Sequence, residues 1–144
     1  MKEKDIQIIS HLRKDARASL KEISENTQIP ISTVFDRIKS NEDCMIKHTA
    51  LINFEKVGYN SKNVHVMSVL PENRELIKEY LQAHPNVNNL YLTNSGYDYL
   101  AETVFRNQRE TQHFLEVLQN TFRINDIKTF NIIEDIDREK FLSI

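Results

Sequence analysis

The stretch ISTVFDRIKSNE, residues 31–42, follows a proline and sets Ser32, Thr33, Phe35, Asp36, Arg37 and Lys39 close together. These are the side-chain types that duplex DNA recognition uses. Hydroxyls and cations bond phosphates or base edges, a ring can lie on a thymine methyl, and a guanidinium can fork onto a guanine. Asp36 is the awkward member, because a carboxylate repels phosphates; pairing with a neighbouring lysine or arginine is favoured over accepting from a cytosine amino group. A second stretch, TNSGYDYL (93–100), holds one of only two glycines in the chain, Gly96, and reads as a turn that needs a positive φ.

Other chemistries are poorly served. The five histidines, His11, His48, His65, His84 and His113, show no close ligand spacing, and the single cysteine, Cys44, has no partner. There is no phosphate-cradling glycine loop and no nucleophile elbow. No catalytic residue, metal site or cofactor is therefore expected, and Asp135 and Asp137 read as solvated charge.

Three short helical patterns must position the first stretch. One runs from about Lys4 to Lys14, with Ile6, Ile9 and Leu12 on one face. The next opens at Ser19, where SLKE is a capping box, and buries Leu20, Ile23 and Ile29. Pro30 fixes the start of the third, whose Val34 and Ile38 face inward. Two short helices joined by a tight turn are the arithmetic of a helix-turn-helix, and pieces this short must share a core to be stable.

Beyond residue 44 the pattern changes. MIKHTALINF (45–54) is β-like, and the polar stretch 58–63 is the best boundary. The remainder alternates as a strand (NVHVMSVL), a helix from Pro71 carrying Leu76, Ile77, Tyr80 and Leu81, and strands at VNNLYLT and YDYLAETVF. A helix with Phe114, Leu115 and Leu118 inward and a strand at INDIKTFNII complete it. That order, β-α-β-β-α-β, is a ferredoxin-like unit with two helices on one sheet face. The other face needs a cover, which makes a homodimer expected. The chain thus reads as an α+β protein with a helix-turn-helix domain at 1–52, a linker at 53–62 and a ferredoxin-like domain at 63–144.

Composition sets the bounds. The chain has 144 residues, 40% hydrophobic and 28% charged, as in an ordinary globular protein. Net charge is −2, but residues 1–50 carry nine Lys/Arg against eight Asp/Glu, whereas 51–144 carry ten against thirteen. A near-neutral first third binds DNA only if its cations share a face. The polar start MKEKD and the lack of an apolar run of roughly 20 residues argue against a signal peptide or a membrane span. With one cysteine, a cytoplasmic location is expected.

The segments DIQIISHLRKDARASLKEIS (5–24), STVFDRIK (32–39), MIKHTALINFEKVGY (45–59) and YLTNSGYDYL (91–100) resemble the leucine-responsive and asparagine-regulator (Lrp/AsnC, feast/famine) family of transcription factors. The resemblance implies a winged-type helix-turn-helix followed by a ferredoxin-like RAM domain. Residues 32–39 would be the recognition helix, with Arg17, Lys21 and Lys47 as phosphate clamps. Family members bind a small effector, commonly an amino acid, at the turn that here comprises Thr93, Asn94, Ser95, Gly96, Tyr97 and Asp98. Asp98 would hold the ammonium group and a backbone amide beside Gly96 the carboxylate. Double-stranded DNA and further copies of the chain, as a dimer, tetramer or octamer, are the implied partners. The chain departs from the family with Gln28 for the usual turn glycine, Pro30 for the capping serine, Asn41 for a leucine and Cys44 for a glycine. It also has Ser95 where family members place a glycine, with Gly96 one position later.

Two rivals share the architecture. Sirohaem decarboxylases resemble it and would need cations and histidines, for which Arg106, Arg109, His65 and His113 are available, but their arginine-rich run is absent from IKHTALIN. An effector-only accessory protein without DNA contact fits the intact STVFDRIK poorly.

Overall fold

The computed structural model describes residues 1–143. They divide into two compact units: Met1–Ile52 with the tail beginning at Ile136, and Asn53–Asp135. This differs from the expected division at both ends. The stretch 53–62 clusters with the body, because β1 (Ser61–Val69) begins inside it. The tail 136–143 clusters with the head, and residue 144 lies outside the described residues.

The head is built on α1 (Glu3–Lys14), α2 (Leu20–Thr27) and α3 (Ile31–Ser40). The capping box closes as the spacing requires: the Glu22 amide donates to Ser19 Oγ over 3.1 Å and the Ser19 amide to Glu22 Oε2 over 2.7 Å. Gln28 then turns the chain at φ 57°, the left-handed region that favours glycine. Its side chain steadies the turn by donating to the Glu25 carbonyl over 2.7 Å. Ile8, Ile23, Ile29 and Val34 form the core, with Leu12, Ala18, Leu20 and Ile38 packed around them.

The inward face of α1 is centred on Ile8, not Ile6. Hydrophobicity alone leaves the phase of IQII open. Buried Asp5, one turn earlier, fixes it by accepting from Asn41 Nδ2 at 3.3 Å and pairing with Arg37 at 3.6 Å.

Two arginines strap the tail to the head. Arg13 donates to the carbonyls of Phe141 (2.7 Å) and Glu139 (3.1 Å), and Arg138 donates to the carbonyl of Ile52 (2.6 Å).

The β-like segment 45–54 forms no strand, and the head has none among the described residues. Ile46 is 100% exposed there. A β-like composition marks a chain able to pair, but a ladder needs an adjacent edge to supply the partner groups.

In the body, β1, α4 (Arg74–Ala83), β2 (Val87–Leu92), β3 (Tyr99–Phe105), α5 (Gln108–Thr121) and β4 (Ile124–Asn131) follow the expected order. Pro71 opens a 3-10 turn that runs into α4. The sheet is antiparallel, in the order β2-β3-β1-β4. Alternate residues of β1 from Ser61 to Val69 are buried, and Met67, Val69, Ile77, Leu81, Tyr99, Ala101, Phe105, Phe114 and Leu118 form the core. Leu76, expected inward, points outward, since the buried line of α4 runs through Ile77 and Leu81. On the opposite sheet face Val64 pairs with Phe130 and Val66 with Leu100, while Tyr91 and Phe130 are each 55% exposed.

Candidate nucleic-acid interface and effector turn

Helix α3 packs Val34 and Ile38 into the head core, which fixes what its other sides offer. Ser32, Phe35, Asp36 and Lys39 are exposed, and Thr33 is half-buried. Arg37 departs from the expected role. Its guanidinium lies 3.6 Å from the Asp5 carboxylate, where Asn41 also bonds, so it ties α3 to α1 instead of standing free for a base. Asp36, expected to pair with a cation, has no ion pair among the described residues.

The three clamp candidates are all exposed. Arg17 lies in the turn between α1 and α2, Lys47 in the extended segment after α3, and Lys21 on α2, 3.9 Å from Glu25. A surface pair of that length holds a lysine weakly. Three residues of this site escaped sequence reasoning. Asp5 and Asn41 act across 36 positions of chain, a separation no local pattern encodes. Ile31, the first residue of α3, is 49% exposed; its signal was the spacing of four to Phe35.

The turn between β2 and β3 is closed by its own bonds. The Thr93 amide donates to the Asp98 carbonyl (2.8 Å) and Thr93 Oγ1 to the Tyr97 carbonyl (2.6 Å). Gly96 holds φ 85°, which answers the question of why a glycine stands there. The Asp98 carboxylate, expected to await an ammonium, is engaged. Oδ2 accepts the Val69 amide at 2.7 Å and Oδ1 accepts from the Arg74 guanidinium at 2.9 Å. Asn94, Ser95 and Gly96 remain exposed, and the Tyr97 hydroxyl donates to Asp126 over 3.2 Å.

His65 cannot serve a substrate. It is fully buried, with ring nitrogens 2.8 Å from Thr103 Oγ1 and 2.8 Å from Thr129 Oγ1. Burial lowers its pKa from 6.5 to about 4, so the ring is neutral at ordinary pH. Arg106 stacks over the Tyr59 ring, and Arg109 and His113 are exposed on α5. Among the described residues no three His, Cys, Asp or Glu side chains converge as metal ligands, and no helix is long and apolar enough to cross a membrane.

A helix-turn-helix head and a ferredoxin-like body define a DNA-binding transcriptional regulator with an effector-binding domain. Family comparison agrees: residues 63–140 match the Lrp/AsnC ligand binding domain, and residues 1–40 a winged helix-turn-helix DNA-binding domain. The chain belongs to the Lrp/AsnC family. It is 27% identical over 132 residues to the HTH-type transcriptional regulator FL11 of Pyrococcus furiosus, covering 90% of this chain and 87% of that one. With the FL11 regulator of Pyrococcus abyssi it shares 30% identity over 116 residues, 79% of this chain and 77% of the relative.

Among solved structures, a transcriptional regulator of Neisseria meningitidis in complex with L-Met superposes with a TM-score of 0.87 at 21% identity, covering 96% of this chain and 93% of that one. LrpC of B. subtilis gives 0.84 at 22% identity, over 95% and 97% of the two chains. These two likenesses are of fold.

Proposed function

We propose that this regulator acts in the cytoplasm as a homodimer or larger assembly that binds specific duplex DNA sites through α3. In this reading a small effector, an amino acid, modulates it at the turn 93–98. One observation carries the DNA part: α3 keeps Val34 and Ile38 in the core while Ser32, Phe35, Asp36 and Lys39 stand in solvent. The apolar residues Val64, Val66, Leu100 and Phe130, set among Glu102 and Lys128 on the open sheet face, support self-association, because packing them against a second sheet removes their area from water. The effector part draws on the L-Met bound to the Neisseria relative and on the exposure of Asn94, Ser95 and Gly96. No step of this reading requires a catalytic residue.

Selection of bound DNA from a random pool, followed by footprinting, tests it. The expected result is two protected half-sites about one helical turn, roughly 10 base pairs, apart. No protection even at low salt overturns DNA binding, and a single half-site overturns the dimer. Calorimetry against the twenty amino acids tests the effector, and silence across the set leaves the turn purely structural.

A further inference from the structure

We infer that α3 reads thymine methyl groups through Ile31 and Phe35, so that each half-site carries A·T pairs at fixed positions about two steps apart. This rests on DNA binding through α3 and specifies what that surface recognises. Ile31 is 49% exposed and Phe35 51%. Neither belongs to the head core, which Val34 and Ile38 already complete on the other side of the helix. Two large apolar side chains on one side of a helix that is otherwise polar outside suit it to an apolar partner group.

Spacing suits them to bases. Side chains four apart on a helix lie on the same side, with Cβ atoms about 6 Å apart. Successive bases on a strand are about 3.4 Å apart, so the pair spans about two steps. In the major groove only thymine presents a methyl group.

The remaining side chains agree with this preference. Arginine on guanine is the commonest specific contact, yet Arg37, the only arginine on α3, is held by Asp5. Asp36 and Ser32 are exposed acceptors. Adenine and cytosine both offer an amino donor in the same groove, so these acceptors are compatible with a thymine contact beside them and do not choose between the pairs. Lys39, one turn beyond Phe35, extends the same side towards the phosphates.

The test uses the full chain and its selected DNA site. Each thymine is replaced singly by uracil, which removes the methyl and keeps every hydrogen-bonding group. Affinities are read by fluorescence anisotropy at fixed salt. Uracil at one or two positions per half-site is expected to weaken binding roughly fourfold, the worth of one buried methyl group. Phe35→Ala and Ile31→Ala are each expected to bind the thymine and uracil versions of their own position equally. Phe35→Leu, still apolar, is expected to keep the uracil penalty, and if Phe35→Ala binds too weakly to measure, Ile31→Ala decides the matter at its own position. Both positions are half-exposed, and circular-dichroism melting confirms that the variants fold. A chain that selects DNA but is indifferent to uracil, or alanine variants that keep the full penalty, overturn this inference alone. A chain that selects no DNA overturns the reading of α3 and this inference together.

Discussion

Arg37 and Lys39 sit two residues apart on one helix and carry the same charge, yet they have different jobs. Arg37 leans back onto Asp5, whose carboxylate is buried, while Lys39 stands in solvent. Removing the guanidinium takes the opposite charge away from a buried carboxylate that keeps its bonds from the Lys2 amide and Asn41, and for a pair partly open to solvent such a loss costs about 1 kcal/mol. Arg37→Ala is therefore expected to lower the stability of the head by about that much, measured by urea unfolding. Lys39→Ala is expected to leave stability within about 0.5 kcal/mol. Its effect belongs to DNA binding, where the slope of log affinity against log salt should fall by about one unit. Equal unfolding curves for the two variants would remove Arg37 from the role of tie. The same logic separates Asp98 from its neighbours in the turn: its oxygens already hold Val69 and Arg74, whereas Asn94, Ser95 and Gly96 are exposed.

At the scale of elements, the joint between α2 and α3 carries a local strain. Gln28 adopts φ 57°, where a side chain costs about 1–2 kcal/mol relative to glycine. Gln28→Gly is expected to stabilise the head by about 1 kcal/mol, a little less than that strain because the bond to the Glu25 carbonyl is lost. A thermal melt that falls instead would show that this bond outweighs the backbone gain. The helices and the order of the body were legible in sequence because their signals are local: Ser19 with Glu22, Pro30, and alternation along β1. Segment 45–54 is β-like in sequence yet forms no strand, because β propensity is local but pairing is not. Asp5 with Arg37, Asp98 with Arg74, and Arg13 with the tail were illegible for a related reason. Each joins residues distant in sequence, and nothing in either partner's neighbourhood names the other.

For the whole molecule, His65 makes the body sensitive to acid. Its pKa is about 4 when folded, against an ordinary 6.5, so the unfolded chain binds the proton more readily. The sign follows: this contribution is complete above about pH 6.5 and is lost as pH falls towards 4. The difference of pKa corresponds to about 3 kcal/mol. Urea unfolding at pH 7 and near pH 4 is expected to show that loss in addition to the general effect of carboxylate protonation. In His65→Gln the additional part should vanish. A variant as acid-sensitive as the parent would assign the loss to other groups.

The reading head is assembled from both ends of the chain, since residues 136–143 fold back onto the unit that contains α3. Anyone transplanting this head onto another regulator by a cut at residue 52 would leave behind the carbonyls that Arg13 grips. A working chimera needs two junctions, and trimming the C-terminus to tidy the body would in fact alter the head.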